Sequence, residues 1–416
     1  MKKLLALVLA VMMMLSVAAL ADTSVSTTAD EFELTGDPTA IKIGVVLIGD
    51  ENEGYTYAHM VGIQTACENL GIPAENVSWK YTVDESAACY DACADLADAG
   101  CDVIFTNSYG HQTYCQQCAM DYPEVQFVSM TGDTANAAGL DNFSNAFTAC
   151  YQGRFLSGVV AGMKVKELVE AGALSDANYD EDGNVRIGYV GAYPYAEVVS
   201  GYTGFFLGIK SVYPDVAMEV TYTNSWFDIT AEGTAAEKLM SDGCVIIGQH
   251  ADSTGAPAAV QAALENGNVA YSVGYNVDML AVAPQAALTS ATNNWVVYYE
   301  YALKTVINGE KIARNWCAGY DKGAVAVTTL GESCAEGTAE KLEEIGAAML
   351  DGSLKVFDTA TFTVGGEVVT SAFATDTDGD FVADADEAII DGAYSESYYQ
   401  SAPSFSLRID GITELN

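Results

Sequence analysis

The chain has 416 residues, half of them hydrophobic; that is too long for one compact domain and enough for two, with ample material for a core. Against 57 acidic residues stand 17 basic ones, a formal charge of −40. Such a surface repels nucleic acid and anionic lipid, so neither is expected as a partner.

Residues 1–21 read as a secretion signal. Lys2 and Lys3 give the positive start, residues 4–15 the apolar run, and Ala19-Leu20-Ala21 a small-x-small cleavage site. The run is short for a bilayer span. A secreted protein, periplasmic or extracellular and cleaved near Ala21, is the expectation. No cysteine adjoins that site, so no direct lipid anchor is expected. Residues 22–39 are polar and acidic and predict a flexible leader.

From residue 41 the pattern turns regular. A continuous apolar run over 41–48 predicts a strand buried on both faces, and 57–70 has helical spacing that stops at Gly71. Strands over 77–81, 103–106 and 126–130 alternate with helices over 85–99 and 112–122. A second series follows. It has helices over 151–171, 198–213, 231–242 and 256–266, and strands over 186–192, 218–223, 244–248 and 269–273. Repeated β-α units predict parallel, doubly wound sheets, and two such series predict two similar α/β lobes with a cleft between them. No Gly-x-Gly-x-x-Gly fingerprint, Walker A sequence or Gly-x-Ser-x-Gly elbow is present, which disfavours nucleotide phosphates and serine hydrolysis.

The candidate site residues follow from where such sheets hold ligands, at the ends of the strands. Trp226 and Phe227 come just after one strand and Asp252 just after its neighbour, a pairing that suits a flat molecule with hydrogen-bond donors at its edge. Asp252 also stands where it could cap the next helix. Tyr55 and Tyr57 follow the turn after the first strand, where they would stack on a ligand or pack a hinge. His59, Tyr109, Tyr193 and Asn276 complete the set expected to line the cleft, and Arg154 lies on a helix at the lobe junction.

Ten cysteines in an exported chain make disulfides possible. Cys115-Gln116-Gln117-Cys118 has redox or zinc spacing, but no second such pair occurs and its flanks read as mid-helix. Buried thiols, or one or two bridges, are the expectation, with Cys317 and Cys334 able to pair. No cofactor is expected to serve function. One structural metal is expected near the C-terminal end. There Asp376, Asp378, Asp380, Asp384 and Glu387 take loop positions 1, 3, 5, 9 and 12, with the Val382 carbonyl at position 7, as in a calcium loop. Phe381 stands where the glycine of such loops normally allows the turn.

Several segments in order resemble the basic membrane protein, or PnrA-like, family of substrate-binding proteins that serve ABC importers. They are residues 49–59 (GDENEGYTYAH), 107–111 (NSYGH), 153–162 (GRFLSGVVAG), 186–197 (RIGYVGAYPYAE), 224–228 (NSWFD), 249–253 (QHADS) and 274–279 (GYNVDM). The resemblance spans about 41–357. It implies a type I periplasmic-binding fold, α/β, with two doubly wound parallel-sheet lobes joined by three crossovers. The implied division is 40–149 with about 277–308 for the N-terminal lobe, 150–276 with about 309–365 for the C-terminal lobe, and 366–416 as an extension. It also implies a purine nucleoside or nucleobase as cargo, an ABC permease as membrane partner, and no catalytic residue. Relatives often carry Asp where this chain has Asn276, which would alter a contact to sugar or base. A sugar or other small polar ligand, for uptake or sensing, is the alternative cargo. An enzyme acting on nucleosides is disfavoured, because the only dense acidic set lies far along the chain from the aromatic segments.

Overall fold

The structure, a computed structural model, describes residues 25–374 and 385–416. The first sheet holds β1 (Ile43–Val46), β2 (Val77–Lys80), β3 (Val103–Thr106), β4 (Gln126–Met130), β5 (Phe143–Thr148) and β11 (Asn315–Ala318), in the order β11-β5-β4-β3-β1-β2. All its pairings are parallel. The second holds β6 (Val185–Gly191), β7 (Val216–Tyr222), β8 (Ile246–Gln249), β9 (Tyr271–Tyr275), β10 (Ala287–Asn293), β12 (Val325–Val327) and β13 (Ile412–Glu414). Its order is β12-β10-β9-β8-β6-β7-β13, parallel except at the β10–β12 edge.

Helices cover both sheets: α1 (Gly54–Leu70), α2 (Ala87–Asp98) and α3 (Gln112–Asp121) in the first lobe, α4 (Cys150–Glu170), α5 (Ala196–Val212), α6 (Ile229–Ser241) and α7 (Gly255–Glu265) in the second. α8 (Val296–Ile307) returns to pack on α1, and α9 (Thr338–Leu350) packs on α4. Glycines bring α4 and α5 into close contact; a Cβ on Gly158 would stand 2.1 Å from the Phe205 carbonyl oxygen.

The chain passes between lobes after β5, after β10 and after β11, which gives the three crossovers of a type I periplasmic-binding fold. The boundaries differ from the sequence expectation. Strand β10 stays in the second sheet, so the first lobe regains the chain near residue 294, not 277. Strand β11 belongs to the first sheet, so the last crossing falls after residue 318, not 309. Strand β5 was missed because its FSNAFT sequence is half polar, yet every residue in it is buried. Asn145 solves the problem by accepting from Ala135 N (2.7 Å) and donating to the Ser129 carbonyl (3.1 Å).

Both ends of the described chain are built in. The expected flexible leader is docked from residue 25: Ser26 bridges to Trp316, whose indole N–H donates to the Thr28 carbonyl (2.6 Å), and Thr35 N donates to Asn308 (2.7 Å). Beyond α9, two short hairpins lead to β13 at the edge of the second sheet. All ten cysteines are free. Cys317 lies in the first sheet while the Cys334 thiol points to the Leu288 carbonyl in the second lobe, so these two do not pair. Burial pushes the Cys118 thiol up to about 12, the reverse of a reactive thiol. No group of side chains arranged to hold a metal occurs among the described residues. Asp376, Asp378, Asp380, Val382 and Asp384 of the calcium-type loop lie outside the described residues. Glu387 is described, and its carboxylate accepts from Ser371 Oγ (2.5 Å), Ala372 N (3.0 Å) and Ile389 N (2.9 Å).

A candidate ligand site between the lobes

A cavity of about 280 Å³ lies where the C-terminal ends of the two sheets' strands face each other. Gly54 N–H at the start of α1 points to the Asp252 carbonyl of the other lobe at 3.4 Å, so the walls touch across its rim. Backbone strain gathers around this cavity. Of the five described non-glycine residues with positive φ, Thr82 (51°) and Thr131 (62°) line it, and Asn224 (55°) and Asn276 (62°) stand within two residues of its lining residues Trp226 and Tyr275. A β-branched residue is rarely held in that region, and such strain persists where the surroundings fix it.

The first lobe supplies Glu53, Tyr55, Ser108, Tyr109 and Thr131. Glu53 caps α1 by accepting from Thr56 N (2.9 Å). The Tyr55 hydroxyl donates to the Asn107 carbonyl, and the Tyr109 hydroxyl to Asp133 Oδ2 (2.9 Å). The second lobe supplies Glu197, Trp226, Phe227, His250, Asp252 and Tyr275. Its two central loops are tied together. Asp252 N donates to the Trp226 carbonyl (2.8 Å), and buried Glu232 accepts from Asp228 N (3.1 Å) and Ser253 N (3.1 Å). Burial raises the Glu232 carboxyl to about 7.

Asp252 does not cap α7; it turns inward and accepts from Asn276 Nδ2 at 2.7 Å, while Asn276 Oδ1 accepts from Asn293 (3.3 Å). Burial first, then the neighbouring Glu53, Glu232 and Glu197, lifts the Asp252 carboxyl well above the usual range. Burial likewise raises Glu53. His250 is held neutral: burial and Arg154 lower it to about 4, and its Nε2 lies 3.2 Å from Glu197. Arg154 sits beneath this floor, fully buried, donating to the Gln249 carbonyl (2.6 Å) with its guanidinium 3.4 Å from the Tyr275 ring centre. Four acidic side chains, Asp50, Glu53, Glu197 and Asp252, thus line one cavity with ring faces beside them. Such a surface accepts hydrogen bonds from donors at a ligand's edge and, with no Lys or Arg among its lining residues, does not suit phosphate.

Of the residues expected from sequence, Tyr55, Tyr109, Trp226, Phe227 and Asp252 come together in this cavity. Asn276 lies behind Asp252 and orients it, and Tyr193 backs the Trp226 ring edge-on at 5.0 Å. His59 is instead core: it stacks on Trp295 at 4.4 Å, bonds Tyr299 (2.7 Å), and burial lowers it to about 3. Tyr57 faces away, 45% exposed. Sequence reasoning passed over Glu53, Glu197 and Tyr275. Tyr275 ends a strand and was open to the same strand-end argument as Trp226; Glu53 and Glu197 read as ordinary acids at helix starts.

Two strand-edge lobes closing on a cavity define a solute-binding protein of the type I periplasmic-binding class. The chain belongs to the family described as ABC transporter substrate-binding protein PnrA-like, which matches residues 41–356. A purine-binding protein of Brucella abortus (strain 2308) is 32% identical over 319 residues, 76% of this chain and 83% of that one. A protein of Haloferax volcanii, provisionally named for glucose binding by an ABC transporter, is 28% identical over 64% of this chain and 61% of its own length. An ABC transporter solute-binding protein of Aeropyrum pernix K1 shares the fold with a TM-score of 0.61 at 18% identity, covering 76% of this chain and 93% of that one. The family implies a small-molecule ligand and a membrane permease as partners. Among the described residues no helix is long and apolar enough to cross a membrane.

Proposed function

We propose that this protein captures a purine nucleoside or nucleobase in the interlobe cavity and presents it to an ABC permease. The observation that carries the reading is the juxtaposition of Trp226 and Phe227 with the Asp252 carboxylate, which Asn276 fixes from behind. A planar ring stacks on the aromatic faces while its N–H groups, or ribose hydroxyls, donate to Asp252 and Glu197. No side chain is asked to do chemistry: lobe closure around the ligand supplies the differential affinity that a permease can read. The carboxylate-rich wall disfavours phosphorylated cargo, because it would set like charges together out of water. The name of the Brucella relative supports the purine reading, and that of the Haloferax relative supports a sugar as the second. Titration calorimetry of the ligand-stripped protein with adenosine, guanosine, inosine, their bases, ribose and glucose separates the two. One-to-one purine binding is the expected result, and binding of glucose without any purine would replace the cargo.

A further inference from the structure

The family match ends at residue 356, yet the chain beyond it reaches the ligand cleft. A second chamber of about 170 Å³ adjoins the first, and Tyr109, Thr131 and Glu197 line both. Its remaining wall includes Gln400, Ala402 and Pro403 of the C-terminal extension. That segment is fixed to the first lobe on either side of Gln400: Asn136 Nδ2 donates to the Tyr399 carbonyl (3.0 Å), and Ser401 N donates to Asn315 Oδ1 (3.1 Å). Further on, β13 pairs with β7 of the second lobe, where Tyr202 and Tyr222 both donate to Glu414. The extension is therefore anchored to both lobes and placed at the cleft by specific bonds.

Gln400 is 5% exposed, and its Oε1 has no hydrogen-bond partner in the protein. A buried amide oxygen without a donor is costly, and its presence in a chamber wall calls for a donor from the chamber side. The two chambers also differ in character. Trp226 and Phe227 line the first alone, whereas the second, with the rings of Phe147 and Tyr195 in its wall, adds the carboxylate of Asp133 and the amide of Gln400 to the shared Thr131 and Glu197. A planar ring fits the first, and a group rich in hydroxyl donors fits the second.

We propose that the C-terminal extension forms a third wall of the ligand site and that Gln400 contacts the cargo, selecting a nucleoside over a free nucleobase. The assignment rests on the purine reading above and goes beyond it in naming the group that demands the sugar. The test is calorimetry of the full chain with adenosine, guanosine and inosine and with adenine, guanine and hypoxanthine. Gln400→Met keeps the side-chain volume and removes the acceptor, and Gln400→Glu restores one. Nucleosides are expected to bind Gln400→Met about tenfold more weakly, with bases changed by less than about twofold and Gln400→Glu recovering most of the loss. Should Gln400→Met lower the ligand-free melting temperature, Gln400→Ala takes its place in the same comparison. Unchanged nucleoside affinity in the variant, or an equal loss for bases, overturns the assignment and leaves the purine reading standing. No binding of any purine by the unaltered chain overturns both.

Discussion

The two walls of the cleft carry similar residue types in different states of use. On the first lobe the polar groups are occupied by the protein itself: Glu53 caps a helix, and the Tyr55 and Tyr109 hydroxyls are donated to Asn107 and Asp133. On the second lobe Asp252 has one oxygen on Asn276, and it sits among Glu53, Glu197 and Glu232 with its carboxyl pushed up. The first wall thus offers shape and ring surface, already satisfied before a ligand arrives. The second holds unspent acceptor capacity under electrostatic tension, which a donor-bearing ligand relieves. On the proposed reading the ring stacks on the second lobe, while Gln400, held against the first lobe, takes the sugar.

The largest effect should come from the second wall's ring. Trp226→Ala is expected to weaken purine binding by about 30-fold, about 2 kcal/mol for one lost stacking face, read by calorimetry. Asp252→Asn should cost about tenfold in affinity, the scale of one side-chain hydrogen bond, while raising the ligand-free melting temperature because a buried carboxyl crowded by other acids is gone. Opposite signs for binding and stability are what separate a ligand-reading group from a structural one.

Asn276→Asp would set a second carboxyl 2.7 Å from that of Asp252, so the pair must share a proton. Its expected signature is a loss of stability and affinity that deepens as pH rises, measured by thermal denaturation and calorimetry between pH 6 and 8. Glu232 gives the unaltered protein a related slope. Its folded pKa of about 7 lies above the ordinary 4.5, so its contribution to stability is complete below the ordinary value and is lost as pH rises through 7. Glu396, raised to about 8 by burial, extends the same trend. His250, lowered to about 4 from 6.5, acts in the opposite sense and only below its ordinary value, so it leaves the upper range undisturbed. The melting temperature should therefore fall between about pH 6.5 and about pH 8, and Glu232→Gln should make the part of that fall below about pH 7 shallower. At the small end, Tyr57→Ala should change affinity by less than about twofold, because the ring is exposed outside the cleft.

How much of this was readable beforehand depends on the element. The buried strands β1, β3 and β4 announce themselves as short apolar runs, and the ends of β7 and β8 located Trp226 and Asp252 by the strand-end argument. Strand β5 hid because Asn145 and Thr148 find buried partners outside the strand, Thr148 as far away as Asn293, which no local pattern records. Glu53 hid behind its genuine role as a helix cap, and a residue can cap and still face a cleft. His59 misled in the opposite direction: it sits in a family-like segment, but its helix turns it into an aromatic cluster with Trp295 and Tyr299. Gln400 could not be found at all, because only the three-dimensional path of the extension brings it to a chamber whose other walls come from residues 109–197.

The most direct test of the account is calorimetric titration of the ligand-stripped protein with purine nucleosides, run side by side with Trp226→Ala and with glucose as the competing cargo. The account predicts one-to-one nucleoside binding that Trp226→Ala weakens strongly, and no heat with glucose. Glucose binding with no response to any purine, or purine binding indifferent to Trp226, would contradict it.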